Sequence, residues 1–409
     1  MADFSPFAGI RYQAPSAELA ALVAPPYDVI DDDQRAALEA AAEHNSVRLI
    51  LPQDQTTDGD RYERAAGTFV HWMDAGVLAR DPAPRFYVYR MEFTDPHATR
   101  RHTRGVIGAL ALPEPGQTDV LPHERTLPKA KSDRLALLRA MRVNVDPIWA
   151  LALGSGLTSR LDGARPVAEC VDTEGVRHEL AALDDAGDIA AVSEIVASAP
   201  LVLADGHHRF ETACNYRNEL REQGVDPGGA AAIMTFVVEL VEDELCIEPI
   251  HRLVDLPPAT DVRARLDDAF DIRAAGANTP EGVDALEAAM CAEQALGLVD
   301  GRGLALAIPR PAVRAEALAN EHAAVAATDA AVIETMVVPR LPDAAWDYRH
   351  DARAVAALVD KGNAAAAILC SPVSVAQTRS AAVDRARMPQ KTTFFSPKPR
   401  TGMVFRTFD

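Results

Sequence analysis

The chain has 409 residues, 48% hydrophobic and 25% charged, which is the composition of an ordinary globular protein with length for two or three domains. Its formal net charge of -19 excludes nucleic acid and anionic membrane as main partners, since both demand a basic face, but leaves room for a small anion in a local basic pocket. The five cysteines are scattered without a CxxC pair, no apolar run is long enough to span a membrane, and MADFSPFAGI lacks a basic region followed by an apolar core, so a reducing cytoplasm and no secretory leader are expected.

Residues 1–104 read as a mixed α/β unit. Ala24 to Ile30, APPYDVI, is a Pro-Pro turn that stiffens the backbone before Tyr27 and Asp28, either as a plain connection or to hold both in a site. Asp31 to Ala42 reads as a helix with an acidic start, Val47 to Leu51 (VRLIL) as a short strand, and Arg61 to Ala75 as a helix. Phe86 to Phe93, FYVYRMEF, is aromatic and β-rich, and Gly105 to Leu112 is a further apolar strand.

Residues 123–142 hold six Lys or Arg (Arg125, Lys129, Lys131, Arg134, Arg139, Arg142) against two acids, Glu124 and Asp133. For the helical arginines a solvated face suffices: Ser132 caps a helix whose Leu135, Leu138 and Met141 turn inward, leaving Arg134, Arg139 and Arg142 in water. Arg125, Lys129 and Lys131 precede the helix in a Pro-bounded loop, where side chains can converge on a ligand. Glu124 beside these cations stays ionised and can accept a proton from a polarised hydroxyl; alternatively it pairs with Arg125 or Lys129 at the surface.

Pro147 to Leu153 reads as a strand, and residues 154–198 as a polar stretch, helical from Ile189 to Ala199. The stretch around which the chain is organised is Leu201 to Tyr216, LVLADGHHRFETACNY. An apolar strand ends in an Asp-Gly turn, and His207, His208 and Arg209 open a helix running to about Arg221. Free N–H groups and a positive dipole end at the helix start, with an Arg fork and two imidazoles beside them, make an anion site. Asp205 brings a negative charge that suits a His partner, a proton acceptor or a metal bridging to phosphate. Taken singly, each residue has a bland reading: Asp-Gly is a common turn, and His at a helix start is usually solvated.

Ala230 to Val241 reads as a buried strand, and Leu245 to Val254 as a strand edge whose His251 and Arg252 face the same anion. Beyond Pro257-Pro258 the chain becomes Ala-rich and alternates helices (about 259–270, 280–294, 312–320, 352–362) with strands such as Leu304 to Ile308 and Ala366 to Cys370. His350-Asp351 is a lone His-Asp pair, too little for a phosphohydrolase metal site. Arg385 to Arg406 carries six basic residues, Lys391 and Lys398 among them, and no acid, which reads as a docked tail or a lid on an anionic site. No Walker A, GxGxxG, HExxH or GxSxG motif is present.

The blocks APPYDVI (24–30), VRLILP (47–52), HERTLPKAKSDRL (123–135), PIWAL (147–151), ADGHHRFETA (204–213), PIHRLV (249–254), YRHD (348–351) and MPQKTTFFSPKPRTG (388–402) resemble the domain-of-unknown-function 1015 family. Through ADGHHR, the region from about 105 to 255 is also similar to free L-serine kinases of the ParB/sulfiredoxin-like fold. The resemblance implies a ParB-like core at 105–255, between an N-terminal α/β unit (1–104) and a C-terminal α/β region with a basic tail (256–409). It implies Asp205, Gly206, His207, His208 and Arg209 at the donor phosphates, Asp205 also at Mg²⁺, and Glu124, in Pro-His-Glu, as the base. Arg125, Lys129, Lys131, His251, Arg252 and Lys391 complete the expected phosphate or nucleotide contacts. The expected reaction moves a phosphoryl group from ATP, ADP or pyrophosphate to free L-serine, giving O-phosphoserine. The alternative is a ParB-like nucleotide-binding switch without kinase activity. A homodimer stays open.

Overall fold

Two sheets organise the chain, each within its own unit. The computed structural model describes residues 2–54, 60–95, 98–114, 116–122, 131–257 and 260–409. One unit is built on Met1–Pro122, Leu127–Cys246 and Pro397–Asp409, the other on Ile247–Ser396. The fold is mixed α/β, as the sequence led us to expect.

In the first unit the apolar runs become strands β1 (Phe4–Ser5), β2 (Phe86–Thr94), β3 (Arg100–Ala111), β4 (Val120–Pro122), β5 (Ile148–Ala152), β6 (Arg165–Val171), β7 (Arg177–Leu183), β8 (Leu201–Asp205) and β9 (Ala232–Glu239). Among the described residues they form one nine-stranded sheet in the order β4-β8-β5-β9-β3-β2-β7-β6, with β1 against β3. β8 is parallel to β4 and antiparallel to β5, while β5 and β9 are parallel. Leu201 and Leu203 enter a core with Phe86, Ile148 and Val237, and Val202 between them is equally buried on the opposite face. A continuous apolar run is what a strand covered on both faces requires.

Helices α1 (Asp32–Ala41), α2 (Val47–Ile50), α3 (Arg61–Asp74), α4 (Lys131–Met141), α5 (Ala186–Ala197) and α6 (His207–Glu222) surround this sheet. α1 opens with a capping box, in which the Asp31 side chain accepts from Gln34 N at 2.8 Å and Asp31 N donates to Gln34 Oε1 at 3.1 Å.

Three local expectations need correction. VRLIL is a helical turn, α2, rather than a strand. Val47, Leu49 and Ile50 are all fully buried with Arg48 facing outward, and a run this short carries no period to tell helix from strand. The Asn45 side chain decides it by accepting from Val47 N at 2.8 Å. Residues 154–198 contain the β6–β7 hairpin, whose outer strand β6 is largely exposed on both faces and interrupted by Pro166, so it shows no buried apolar alternation. In α4, Arg134 is buried and Leu137 and Met141 are the inward residues, while Leu135 and Leu138 are half-buried.

The second unit holds β10 (His251–Asp255), β11 (Phe270–Gly276), β12 (Leu296–Asp300), β13 (Gly303–Pro309), β14 (Ala345–Arg349) and β15 (Ala366–Leu369), in the order β11-β13-β12-β15-β10-β14. Both faces are covered. Leu253, Val299 and Ala367 pack with Val283, Leu286 and Met290 of α7 (Pro280–Glu293) and Val355 and Val359 of α8 (Ala352–Asp360). The alternate residues Val254, Leu298 and Ile368 pack with Ile333 and Met336 on the other face.

This two-unit division differs from the boundaries read at 104 and 255. β3 runs through residue 104 as a central strand, and β10 belongs to the second sheet, between β15 and β14 rather than at an edge. The basic tail is a docked segment: 397–409 packs within the first unit, where Arg406 and Thr407 pair with Asn144 and Val143. Phe405 exchanges backbone bonds with Ile10 (2.9 and 2.8 Å), and its buried ring meets Tyr12 and Phe69 at 5.9 and 5.7 Å. Among the described residues no helix is long and apolar enough to cross a membrane.

Docking of the tail through a fully buried ring predicts that Phe405→Ala costs about 3–5 kcal/mol. Urea denaturation measures it, and a loss below about 1 kcal/mol would mean that the tail is not part of the core.

Candidate functional site

β8 delivers Asp205 to the end of the sheet, and Gly206 turns the chain into α6. Gly206 has φ +86°, and an added Cβ would lie 2.7 Å from Ile148 Cγ2, so both backbone and space demand glycine. Phe210 N donates to Gly206 O at 2.9 Å and starts the helix, and no side chain caps it. Thr212, Ala213 and Tyr216 turn inward, which anchors the helix and leaves its first turn at the strand end.

Around Asp205 the charges interlock. Lys398 Nζ lies 2.8 Å from Asp205 Oδ1, and Arg209 Nη2 donates to Asp205 Oδ2 at 3.1 Å. Arg209 Nη1 donates to Asp146 Oδ2 at 2.6 Å and to Pro147 O at 2.7 Å. Burial works against the charge of Asp205, but Lys398 and Arg209 hold its carboxyl below the usual range. Burial pushes the Asp146 carboxyl up, with Arg209 and Arg134 opposing.

The APPYDVI loop reaches the same place. Burial pushes the Tyr27 hydroxyl up to about 12, with Arg209, Asp28 and Asp146 all acting on it. The Arg134 guanidinium sits 4.4 Å from the Tyr27 ring centroid and donates to Ile50 O at 2.6 Å. A pocket of about 50 Å³ opens among Arg134, Asn144, Asp146, Arg209 and Thr212 above an apolar floor of Leu137, Leu138 and Ile233. The buried His208 Nδ1 and Thr212 Oγ1 have no hydrogen-bond partner among the described residues.

The expected residues therefore separate. Asp205, Gly206, His207, His208 and Arg209 stand together at the β8–α6 junction, joined by Tyr27. Glu124, Arg125 and Lys129 lie outside the described residues, and of Lys131 only the backbone position at the start of α4 is described. His251 and Arg252 belong to the second unit, committed within their own sheet. His251 is fully buried, its Nδ1 accepts from Cys370 N at 3.2 Å, and burial with Arg252 beside it pushes its pKa down to about 4. Arg252 donates to Ile250 O and lies against Cys370 Sγ. Lys391, also in the second unit, is exposed, with Nζ 5.9 Å from the Tyr348 ring centroid. Asp351 is a helix cap that accepts from Ala354 N at 2.9 Å, and His350 stacks on Phe394 with ring centroids 4.4 Å apart. Among the described residues no group of three or more His, Cys, Asp or Glu could hold a metal ion.

Sequence reasoning missed Asp146, buried Arg134 and the contact of Lys398 with Asp205. For Asp146 the signal available was its place before Pro147 at a strand start. For Lys398 it was the Pro397-Lys398-Pro399 setting within an acid-free tail.

The family model described as "Protein of unknown function (DUF1015)" matches residues 4–334, and the chain belongs to that family. No curated protein matches the chain. Among solved structures, a conserved hypothetical protein from Pyrococcus furiosus is 11% identical, with 71% of this chain and 92% of that chain covered and a TM-score of 0.39. A free serine kinase in complex with AMP is 13% identical, with 70% and 87% covered and a TM-score of 0.38. A C-terminally truncated SbnI from Staphylococcus aureus is 11% identical, with 72% and 85% covered and a TM-score of 0.37.

The folded pKa of Asp205 lies below its unfolded value. Its contribution to stability is then complete above about pH 4 and lost as the pH falls through the folded value. Asp205→Asn should cost about 1–3 kcal/mol at pH 7. The gap to wild type should narrow below about pH 4 in urea unfolding, and a gap independent of pH would contradict the ion pairs.

Proposed function

We propose that this protein is a phosphotransferase that moves a phosphoryl group from ATP, ADP or pyrophosphate to the hydroxyl of free L-serine. The observation that carries the reading is Asp205 held between Lys398 and Arg209 where a glycine turn opens a long helix. Cations, the N–H groups of a helix start and a carboxylate together suit a phosphate chain with its counter-ion. The acceptor rests on the resemblance of ADGHHR to serine kinases.

The residues divide the work. Arg209 and Lys398 offset phosphate charge, the N–H groups after Gly206 and the imidazoles of His207 and His208 donate to phosphate oxygens, and Arg125, Lys129 and Lys131 add cations. Asp205 is one carboxylate, which fits Mg²⁺ brought in with the donor's phosphates rather than a cage made by the protein. When bound, Mg²⁺ would be held by Asp205 and would supply charge that offsets the donor phosphates. Glu124 takes the proton as the serine Oγ–P bond forms and the P–O bond to the donor's leaving phosphate breaks, with the electron pair departing on ADP, AMP or phosphate. Such a transfer depends mainly on positioning and charge, which a preorganised ion-pair network supplies. His251 and Arg252 are given no part in this reading, because His251 Nδ1 and the Arg252 guanidinium already bond to Ile250 and Cys370 in their own unit.

A phosphorus NMR time course tests it. Purified protein with Mg²⁺ and each donor in turn should give a new phosphomonoester signal only when L-serine is present, and Glu124→Gln should slow it about 10²-fold or more. Donor loss that ignores serine, or no signal with any donor, would overturn the reading.

A further inference from the structure

The tail that brings Lys398 to Asp205 is itself held by a closed ring of polar groups that the reaction above does not use. Arg400 is 8% exposed. Its Nε donates to Asp172 Oδ2 at 2.8 Å, its Nη2 reaches the same oxygen, and its backbone N–H donates to the Tyr89 hydroxyl at 3.1 Å. The Tyr89 hydroxyl lies 2.7 Å from His178 Nδ1, and His178 Nε2 lies 2.8 Å from Asp172 Oδ2. Tyr89 has one hydroxyl proton, which donates to Nδ1 while its oxygen accepts from Arg400. The imidazole proton then sits on Nε2 and donates to Asp172. Tyr89 and His178 are both fully buried.

Asp172 sits at the turn of the β6–β7 hairpin, where its Oδ1 also accepts from Glu174 N at 2.9 Å and Val176 N at 3.0 Å. Its position is therefore fixed by contacts within the hairpin itself, separate from those with the tail. Burial works against its charge, but His178 and Arg400 hold its carboxyl below the usual range, so it meets Arg400 as an anion.

The ring acts on neighbouring residues through a stiff stretch of chain. Pro397 and Pro399 flank Lys398 and confine its backbone to extended conformations. After Arg400, Thr401 exchanges backbone bonds with Ala24 at 3.0 and 2.8 Å, and Ser46 Oγ donates to Thr401 O at 3.0 Å. Ala24 leads directly into the Pro-Pro loop that carries Tyr27. Within four residues, the tail thus touches Asp205, the Asp172 turn and the base of the Tyr27 loop.

We propose that Arg400 is a positioning residue: clamped by Asp172, Tyr89 and His178, it presents Lys398 to Asp205 and to the donor phosphates. This rests on the phosphate reading of the site and assigns Lys398 a place in it. A lysine stem is flexible and costly to order, so fixing its backbone two residues away lets it bind without that ordering step. The planar fork explains why arginine stands at 400, since a lysine could not bond Asp172 through two nitrogens.

The test combines amine labelling with a double-mutant cycle on the full chain. In Arg400→Gln and Asp172→Asn, acetic anhydride labelling of Lys398, read by mass spectrometry against exposed Lys361, should rise about fivefold or more as its contact with Asp205 loosens. Calorimetry with Mg·ADP should show Arg400→Gln weakening binding about tenfold, with Arg400→Lys in between. The double variant Arg400→Gln/Lys398→Gln should bind no more weakly than Lys398→Gln alone. A purely structural role would instead add its loss to that of Lys398→Gln. Unchanged labelling or additive losses would overturn the proposal. If wild type takes no Mg·ADP, Mg·ATP or pyrophosphate but Lys398 labelling still follows Arg400, the positioning stands and the phosphate reading falls.

Discussion

Asp205 is a largely buried carboxylate, and the surrounding architecture follows from the need to neutralise it. A buried ion without partners costs several kcal/mol, so its partners must already be in place when the chain folds. Arg209 comes from the first turn of the helix that follows β8 and is itself tied to Asp146 and the Pro147 carbonyl. Lys398 comes from the far end of the sequence. A local contact, a loop contact and a remote contact therefore have to form together, which couples the β8–α6 junction, the entry to β5 and the tail.

On the proposed reading, the same coupling suits the site to an anion. Asp205 and Asp146 hold Arg209 and Lys398 in place while both remain charged, so phosphate oxygens entering the site would meet cations already ordered and partly stripped of water. The glycine at 206 lets the backbone come close, because any side chain there would strike Ile148. Arg134, which lines the pocket, also makes a cation–π contact with Tyr27, above a partly apolar lining of Leu137, Leu138 and Ile233. A network of this kind has little to reorganise when a charged ligand binds.

The second unit solves a different problem with the same materials. Its sheet is apolar on both faces, and its polar motif residues, His251, Arg252 and Asp351, are bound into sheet and helix-cap contacts. A histidine or arginine in a distinctive motif can thus be a structural residue, and it is the hydrogen bonds it makes, not its identity, that show this.

Much of the local architecture was legible in the sequence. LVLAD reads as a buried strand because its apolar run is continuous, Asp-Gly forces a turn, and the helix after it follows from composition. The capping box at Asp31 and the strands at 86–93 and 147–153 are equally local. VRLIL was not legible, because four or five residues are too few to show a helical or a strand period, and the β6–β7 hairpin was hidden because its edge strand is exposed on both faces. The charges at the site divide in the same way. Asp205 and Arg209 lie four residues apart across the strand-to-helix turn, so the motif placed both at one site, although their pairing was not read from it. Arg134 was read as solvated although it lies under Tyr27, and Lys398 and Arg400 looked like generic tail charge. What the sequence determined by itself were the elements and the motif, since propensity, caps and turns act over a few residues. Which distant cation neutralises Asp205, and which residues hold it there, only the tertiary structure decided, because those pairings depend on where the buried chain returns.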